Sequence, residues 1–243
     1  MNTAQQIVEK SRSRMISNFP FYACILLSQE LVETDKVPAM ATDGKHIFWN
    51  PEWVSKWTVA QVTGVFAHEC EHIAYCHPIR KIAAGLEHNL FNVACDYAIN
   101  GGLIKAGFEL PPDGLIDSRF DGWSAEKIYF QLLRERPAPQ PSDGPSEEDG
   151  ESEDNQGSGQ SALDDDTTGS NNAAVGTGEP QAPEWGQVLD AVNDDGNVLD
   201  EVEQSEARAK VAELVQSAAQ VEKKVGKGKS DANVRNILGS LKG

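Results

Sequence analysis

The chain has 243 residues and a formal net charge of −17, and this length accommodates one domain of moderate size or a domain with tails. Eleven acidic residues and no Lys or Arg fall within residues 137–183, so the rest of the chain carries a net charge of only −6. A mildly acidic ordered part argues against a nucleic-acid-binding protein, which needs a basic surface.

The N-terminal residues predict a polar helix and no export signal. Residues 3–17 have an amphipathic pattern with Ile7, Val8 and Met15 on the apolar side, and no apolar signal-peptide core follows. No stretch of the chain approaches the apolar length of a membrane span. We therefore expect a cytoplasmic protein that contacts no membrane, in which the four cysteines are reduced thiols.

The next segment predicts a small sheet. The apolar run 22–27 is too short to distinguish a strand from a buried helical turn. Asp43-Gly44 separates the short runs 37–42 and 45–49 and favours a tight primed turn between two antiparallel strands. We expect the strand at 45–49 to be the sheet edge that pairs with an extended substrate.

A central helix carries the motif H-E-x-x-H at His68, Glu69 and His72. Thr58 begins this helix as the N-cap of a capping box, and Pro78 ends it, because the residue before a proline avoids the helical conformation. Histidines four residues apart lie on one face of a helix, so both imidazoles can bind one zinc ion. Glu69 lies beside that face and can accept a proton from a water that the metal activates.

A purely structural interpretation of the motif is a core histidine pair that hydrogen-bonds to the backbone. It does not explain why two histidines and two carboxylates occupy five positions of an otherwise apolar helix, so we favour a metal site. Cys70 lies on the other side of the helix from the histidines, given about 100° per residue, and is interpreted as a packing residue.

A second helix is predicted over residues 86–100 and is ended by an Asn-Gly-Gly sequence at 100–102. His88, Asn92 and Asp96 fall four residues apart and form one polar stripe on it. A carboxylate inside an apolar helical segment needs a partner or a metal. Because a catalytic zinc usually takes three protein ligands and a water, Asp96 is the preferred third ligand.

Two histidines compete with Asp96 for the role of third ligand. His77 follows the motif beside the helix end, where it can be a ligand or simply favour the helix C-terminus. His88 can be a ligand, an exposed residue, or a contact to substrate or the developing oxyanion. Asp96 can instead cap a helix or pair with Arg80 near the surface, and Asn92 can orient a ligand.

The C-terminal half begins with a helix predicted over 124–135. Residues 137–183 are rich in Gly, Ser, Pro and acids and hold too few apolar side chains to offset the entropy of ordering, so we predict a disordered acidic linker. Amphipathic helices follow at 201–225 and 230–241, and they must dock on the first domain or on a partner. The predicted organisation is a domain at 1–136, a linker at 137–183 and a helical segment at 184–243.

Several separated segments resemble one known family. The matching runs lie at 67–72, 77–80 and 92–100, with further matches at 42–44, 50–51, 110–111 and 124–129. Over residues 1–135, and more weakly in the later helices, they resemble the metallopeptidase domain that often precedes a von Willebrand factor A-like domain in bacterial and phage proteins. The resemblance implies a zincin-like fold in which the motif histidines and Asp96 bind zinc and Glu69 is catalytic. The chain stops at Gly243 with no room for the von Willebrand-like domain, so we expect a stand-alone or shortened form.

Together, the residues and the resemblance predict an α+β, zincin-like zinc metallopeptidase that hydrolyses peptide bonds in a protein or peptide substrate. Glu69 is the predicted general base, which accepts a proton from the attacking water and passes it to the leaving amine. A second hypothesis is a metal-stabilised, non-catalytic binding module whose C-terminal helices contact an AAA-type ATPase or a von Willebrand A-like protein. A third is an inert domain that uses zinc only to fold, with four protein ligands.

Overall fold

The computed structural model describes residues 3–136, 183, 185–225 and 231–240. Helices dominate and one small sheet accompanies them, which confirms the predicted α+β class. No helix among the described residues is long and apolar enough to cross a bilayer. The elements in chain order are α1 (Ala4–Asn18), α2 (Pro20–Leu27), β1 (Glu30–Glu33), β2 (Met40–Thr42), β3 (His46–Trp49), α3 (Pro51–Val54), α4 (Val59–Ala74), α5 (His77–Ala84), α6 (His88–Lys105), a short 3-10 helix (Ser118–Phe120), α7 (Ala125–Glu135), β4 (Gln187–Val188), α8 (Glu201–Val225) and α9 (Asp231–Ser240).

The described parts of residues 1–135 and 180–243 form one compact unit, and 136–179 belong to another that lies almost wholly outside the described residues. Apart from Pro183, the acidic linker predicted at 137–183 also lies outside them. Within the first unit, α8 packs on α2 and α4, and α9 packs on α6. The C-terminal helices therefore contact the N-terminal elements, while the predicted three-part division of the chain stays a prediction.

The motif helix α4 lies at the centre of this unit, where it contacts α1, α2, α6, α8 and β2. It begins as predicted: the Thr58 hydroxyl accepts a hydrogen bond from the Gln61 N–H at 3.1 Å, and the Gln61 side chain accepts one from the Thr58 N–H at 2.9 Å. These two bonds form the capping box. The helix is thus started by a local signal and then enclosed by its neighbours.

The end of α4 differs from the prediction. The helix stops at Ala74, and Cys76 adopts a left-handed φ of 55°. Pro78 lies in the first turn of α5, where a missing backbone N–H removes no helical hydrogen bond. Pro78 therefore begins the next helix instead of ending the motif helix, and His77 is the first residue of α5.

The ambiguous run 22–27 is helical and belongs to α2. Pro20 occupies its first turn, a position that favours helix initiation. The Phe21 N–H, which lacks a partner within the helix, donates to Glu222 Oε2 at 2.9 Å. A carboxylate from α8 therefore accepts the hydrogen bond of a free N–H group in the first turn of α2. The sequence around α2 does not predict this contact.

Helix α6 continues past the stop predicted at 100–102 and ends at Lys105. Gly102 faces Asn233 of α9, and a Cβ at Gly102 would lie 2.8 Å from the Asn233 Oδ1. This glycine therefore allows close approach of a neighbouring helix instead of ending its own.

The sheet has the strand order β1-β3-β2-β4. β2 and β3 are antiparallel, β1 runs parallel to β3, and β4 runs parallel to β2. The expectation that strand 45–49 is the free edge is wrong, because β1 and β2 flank β3 on both sides. Among the described residues, β1 and β4 are the edge strands.

The loop between β2 and β3 also differs from the predicted primed turn. Gly44 has a φ of 94°, but Asp43 does not adopt the positive φ that such a turn needs. Instead, Asp43 Oδ1 accepts hydrogen bonds from the N–H groups of Lys45 at 2.8 Å and His46 at 2.7 Å. The aspartate side chain therefore holds a loop of three residues.

Candidate metal centre

The structure brings His68, His72 and Asp96 together. The Nε2 atoms of the two histidines lie 2.8 Å apart, and each lies 3.5 Å from Asp96 Oδ1. A tetrahedral zinc ion with bonds of about 2.0–2.1 Å holds its ligand atoms roughly 3.3 Å apart. Both distances to Asp96 are close to this value, and the distance between the two histidine nitrogens is shorter. The three atoms therefore lie close enough together to bind one metal ion.

Two packed helices create this cluster. His68 and His72 share one face of α4 because they lie one turn apart, and Asp96 projects from α6, which packs on α4. All three side chains are fully buried. Their positions are consequently fixed by the core and not by a mobile loop.

Hydrogen bonds orient both imidazoles. The His68 Nδ1–H donates to Asn100 Oδ1 at 2.8 Å, which leaves the lone pair of Nε2 directed at the cluster. The Nδ1 atoms of His72 and His77 lie 2.9 Å apart, so one ring donates to the other. When His72 is the donor, its Nε2 also presents a lone pair to the cluster, which is the arrangement that metal binding requires.

The protonation states agree with this arrangement. Burial lowers the pKa of His68 to about 4, although Asn100 and the Gly186 backbone, both of which would stabilise the protonated ring, oppose the shift. Burial also lowers the pKa of His72 well below its usual value, and the neighbouring His68 and His77 lower it further. Both rings are therefore neutral near pH 7, which is the form that binds metals.

The surroundings of two buried carboxyl groups, those of Asp96 and Glu69, indicate whether the site suits a metal ion. Among the described residues, none provides a hydrogen-bond partner for the buried carboxyl oxygens of Asp96 and Glu69. Burial raises the pKa of both groups, and the Glu69 charge raises that of Asp96 further. Buried carboxylates without partners are costly, and a divalent cation held by Asp96 offsets this cost. The residues present therefore fit a bound metal ion.

His77 and Cys95 form a second group of possible ligands with His72. The Nδ1 atoms of His72 and His77 lie within hydrogen-bond distance, at 2.9 Å, while His72 directs its other nitrogen, Nε2, towards Asp96. We therefore interpret His77 as a residue that orients His72.

His88 makes its contacts outside the cluster. It is exposed; its Nδ1 lies 2.8 Å from Lys81 Nζ and its Nε2 lies 3.2 Å from Asn92 Nδ2. Asn92 therefore contacts His88 and not a residue of the cluster. Arg80 pairs with Glu126 instead of Asp96. The structure thus places Asp96, and neither His77 nor His88, in the cluster with the two motif histidines, and its role as a ligand stays a prediction.

Sequence reasoning misses three residues around the site. The sequence pattern assigns Asn100 to a helix stop, although it continues the polar stripe of α6 one turn beyond Asp96. Glu71, buried on α4, accepts hydrogen bonds from the Tyr22 hydroxyl at 2.6 Å and from Asn233 Nδ2 at 3.0 Å, and burial raises its pKa to about 7. Trp185 stacks edge-on against His68, with 5.0 Å between ring centroids, and no local signal links it to the motif.

Comparisons with known proteins give one match. No curated protein and no solved structure matches the chain. The model of a family described as "Putative metallopeptidase domain" matches residues 3–236, a range that includes every residue of the cluster. It confirms the family resemblance drawn from the separated sequence runs, while the von Willebrand-like neighbour stays an expectation. The chain therefore belongs to the putative metallopeptidase domain family.

Proposed function

We propose that the protein is a zinc-dependent metallopeptidase that hydrolyses peptide bonds. One observation carries the proposal: two histidine nitrogens and a carboxylate converge within 4.8 Å of one another, fully buried, beside a glutamate whose carboxyl group has no partner among the described residues. Two imidazoles and one carboxylate form a ligand set that catalytic zinc sites use, with the fourth position left for water.

In this proposal each residue has one role. His68, His72 and Asp96 hold the metal, and Asn100 and His77 orient the two imidazoles. When bound, zinc acts as a Lewis acid that lowers the pKa of a water molecule and polarises the scissile carbonyl. The Glu69 carboxylate accepts a proton from the attacking water and then donates it to the leaving amine.

The pKa of Glu69 supports its proposed role. Burial raises this pKa well above the usual value for a glutamate, and a general base works best when its pKa is near the working pH.

The alternative is a metal-stabilised binding module without turnover. The observation that favours it is the complete burial of His68, Glu69, His72 and Asp96, because a peptidase must admit a polypeptide to these residues. In this alternative, an AAA-type ATPase or a von Willebrand A-like protein is the expected partner.

Glu69→Gln separates the two functions, because glutamine keeps the shape of the side chain but accepts no proton. Zinc content, measured by mass spectrometry of the purified protein, should equal that of the wild type. Hydrolysis of an unfolded, fluorescently quenched protein substrate should fall by about 10²- to 10⁴-fold. Glu213→Gln is a matched control, since Glu213 is exposed on α8, and it should keep both properties. Full hydrolysis by Glu69→Gln, or chelator-insensitive hydrolysis by the wild type, would contradict the proposal.

A further inference from the structure

The metal centre is closed on the side of β2 by residues 185–189, which we call the covering segment. The Trp185 ring lies against the His68 ring. Gly186 has a φ of 78°, and a Cβ at this position would overlap the His68 Nε2. The backbone of the covering segment therefore lies directly on a proposed ligand atom, an approach that only glycine permits.

The covering segment is held by sheet pairing. The Gly186 N–H donates to the Met40 carbonyl at 3.1 Å, and the Leu189 N–H donates to the Thr42 carbonyl at 2.9 Å. Between them, β4 runs parallel to β2. Extended peptides bind free sheet edges through main-chain hydrogen bonds of this kind. The outer edge of β2 is thus paired with the chain itself, through the same main-chain groups that an extended peptide would use.

The two ends of the covering segment are held unequally. Beyond the pairing, the Val188 carbonyl accepts a hydrogen bond from Lys81 Nζ at 3.1 Å, and the same lysine pairs with Asp190 at 2.8 Å. At the other end, the Trp185 indole N–H is buried, and no described residue accepts a hydrogen bond from it. A buried donor without an acceptor is unfavourable. Release of the Trp185 end would let the indole N–H form a hydrogen bond with water, so this end is the easier one to release.

We propose that the outer edge of β2 is the substrate-binding edge and that the covering segment occupies it in place of substrate. This inference rests on the proposed peptidase function, because it identifies how an extended polypeptide reaches the buried site. Displacement of the covering segment exposes the main-chain groups of β2 and the side of His68 that Gly186 covers. The protein as described is therefore a closed form, and peptide binding requires the covering segment to leave.

The test compares the zinc-loaded full chain with its Trp185→Ala variant. Trp53→Ala is the matched control, because Trp53 is a partly buried tryptophan of α3, outside the covering segment. The first measurement is the rate of zinc transfer to a chromophoric chelator, which should rise by about tenfold or more in Trp185→Ala, since removal of a buried tryptophan weakens the closed form. The second is hydrogen exchange, in which the Gly186 and Leu189 amides should exchange faster while those of β3 do not change. The third is hydrolysis of the unfolded substrate, which should also rise.

The three measurements distinguish failure of this inference from failure of the proposed function. Unchanged zinc transfer and amide exchange in Trp185→Ala would overturn the inference, and so would faster transfer with weaker hydrolysis than the wild type. Faster transfer and exchange with no hydrolysis by any variant would support a removable cover and refute the peptidase. If Trp185→Ala does not fold, hydrogen exchange of the wild type decides: Gly186 and Leu189 amides as slow as those of β3 overturn the inference, and faster ones support it.

Discussion

Asn100 orients His68 through a hydrogen bond, so its loss should weaken zinc binding although Asn100 is not a proposed ligand. Asn100 is fully buried; its Oδ1 accepts the His68 Nδ1–H at 2.8 Å, and its Nδ2 donates to the Leu115 carbonyl at 3.1 Å. Asn100→Ala leaves the buried His68 N–H unpaired, while the partly exposed Leu115 carbonyl loses its donor. The free energy of unfolding should fall by about 1–3 kcal/mol. Loss of a residue that orients a metal ligand typically weakens metal affinity by about 10- to 100-fold.

Competition with a chelator of known affinity measures the change in zinc binding, and urea unfolding of the metal-free protein measures the change in stability. Asn92→Ala is the control, because Asn92 lies two turns earlier on the same helix and contacts His88. It should leave zinc affinity unchanged. Reduced affinity in Asn92→Ala with unchanged affinity in Asn100→Ala would refute the reasoning and restore Asn92 as the orienting residue.

Two further predictions concern the core. Glu222→Ala removes the acceptor of the Phe21 N–H and should lower the free energy of unfolding in urea by about 1–3 kcal/mol. Glu213→Ala, exposed on the same helix, should change it by less than about 0.5 kcal/mol. An equally small effect of both variants would show that the Glu222–Phe21 hydrogen bond does not stabilise the fold. Alkylation at pH 8, followed by mass spectrometry, should modify Cys24 first, because Cys24 is partly exposed and the other three cysteines are buried. Burial raises the pKa of all four thiols, so access of the reagent decides the order. Equal labelling of all four cysteines in the native protein would contradict this packing.

Local signals in the sequence predict the parts of the fold that depend on neighbouring residues. The capping box at Thr58 predicts where α4 begins because both of its hydrogen bonds form within one turn. Asp96 is predicted to be a ligand because a carboxyl group within an apolar helix needs compensation. The proximity of these residues is therefore anticipated by simple rules of burial and helix geometry.

The remaining features depend on contacts between distant parts of the chain. The Asn-Gly-Gly sequence at 100–102 resembles a helix stop, and only the approach of α9 and the bond to His68 explain why α6 continues. β3 has the pattern of an edge strand in a hairpin, and only its pairing with β1 makes it central. Trp185 reaches His68 because β4 pairs with β2. A strand of two residues has no recognisable sequence pattern, so this pairing could not be predicted.

Asp96 is the proposed third zinc ligand, and the zinc content of Asp96→Ala tests this role most directly. The wild type should bind about one zinc ion per chain, measured by mass spectrometry after removal of loosely bound metal. Asp96→Ala should bind almost none, because two imidazoles alone hold the ion too weakly to survive this step. His88→Ala should bind as much as the wild type, since His88 lies in separate contacts with Lys81 and Asn92. A full complement of zinc in Asp96→Ala, or its loss in His88→Ala, would contradict the account.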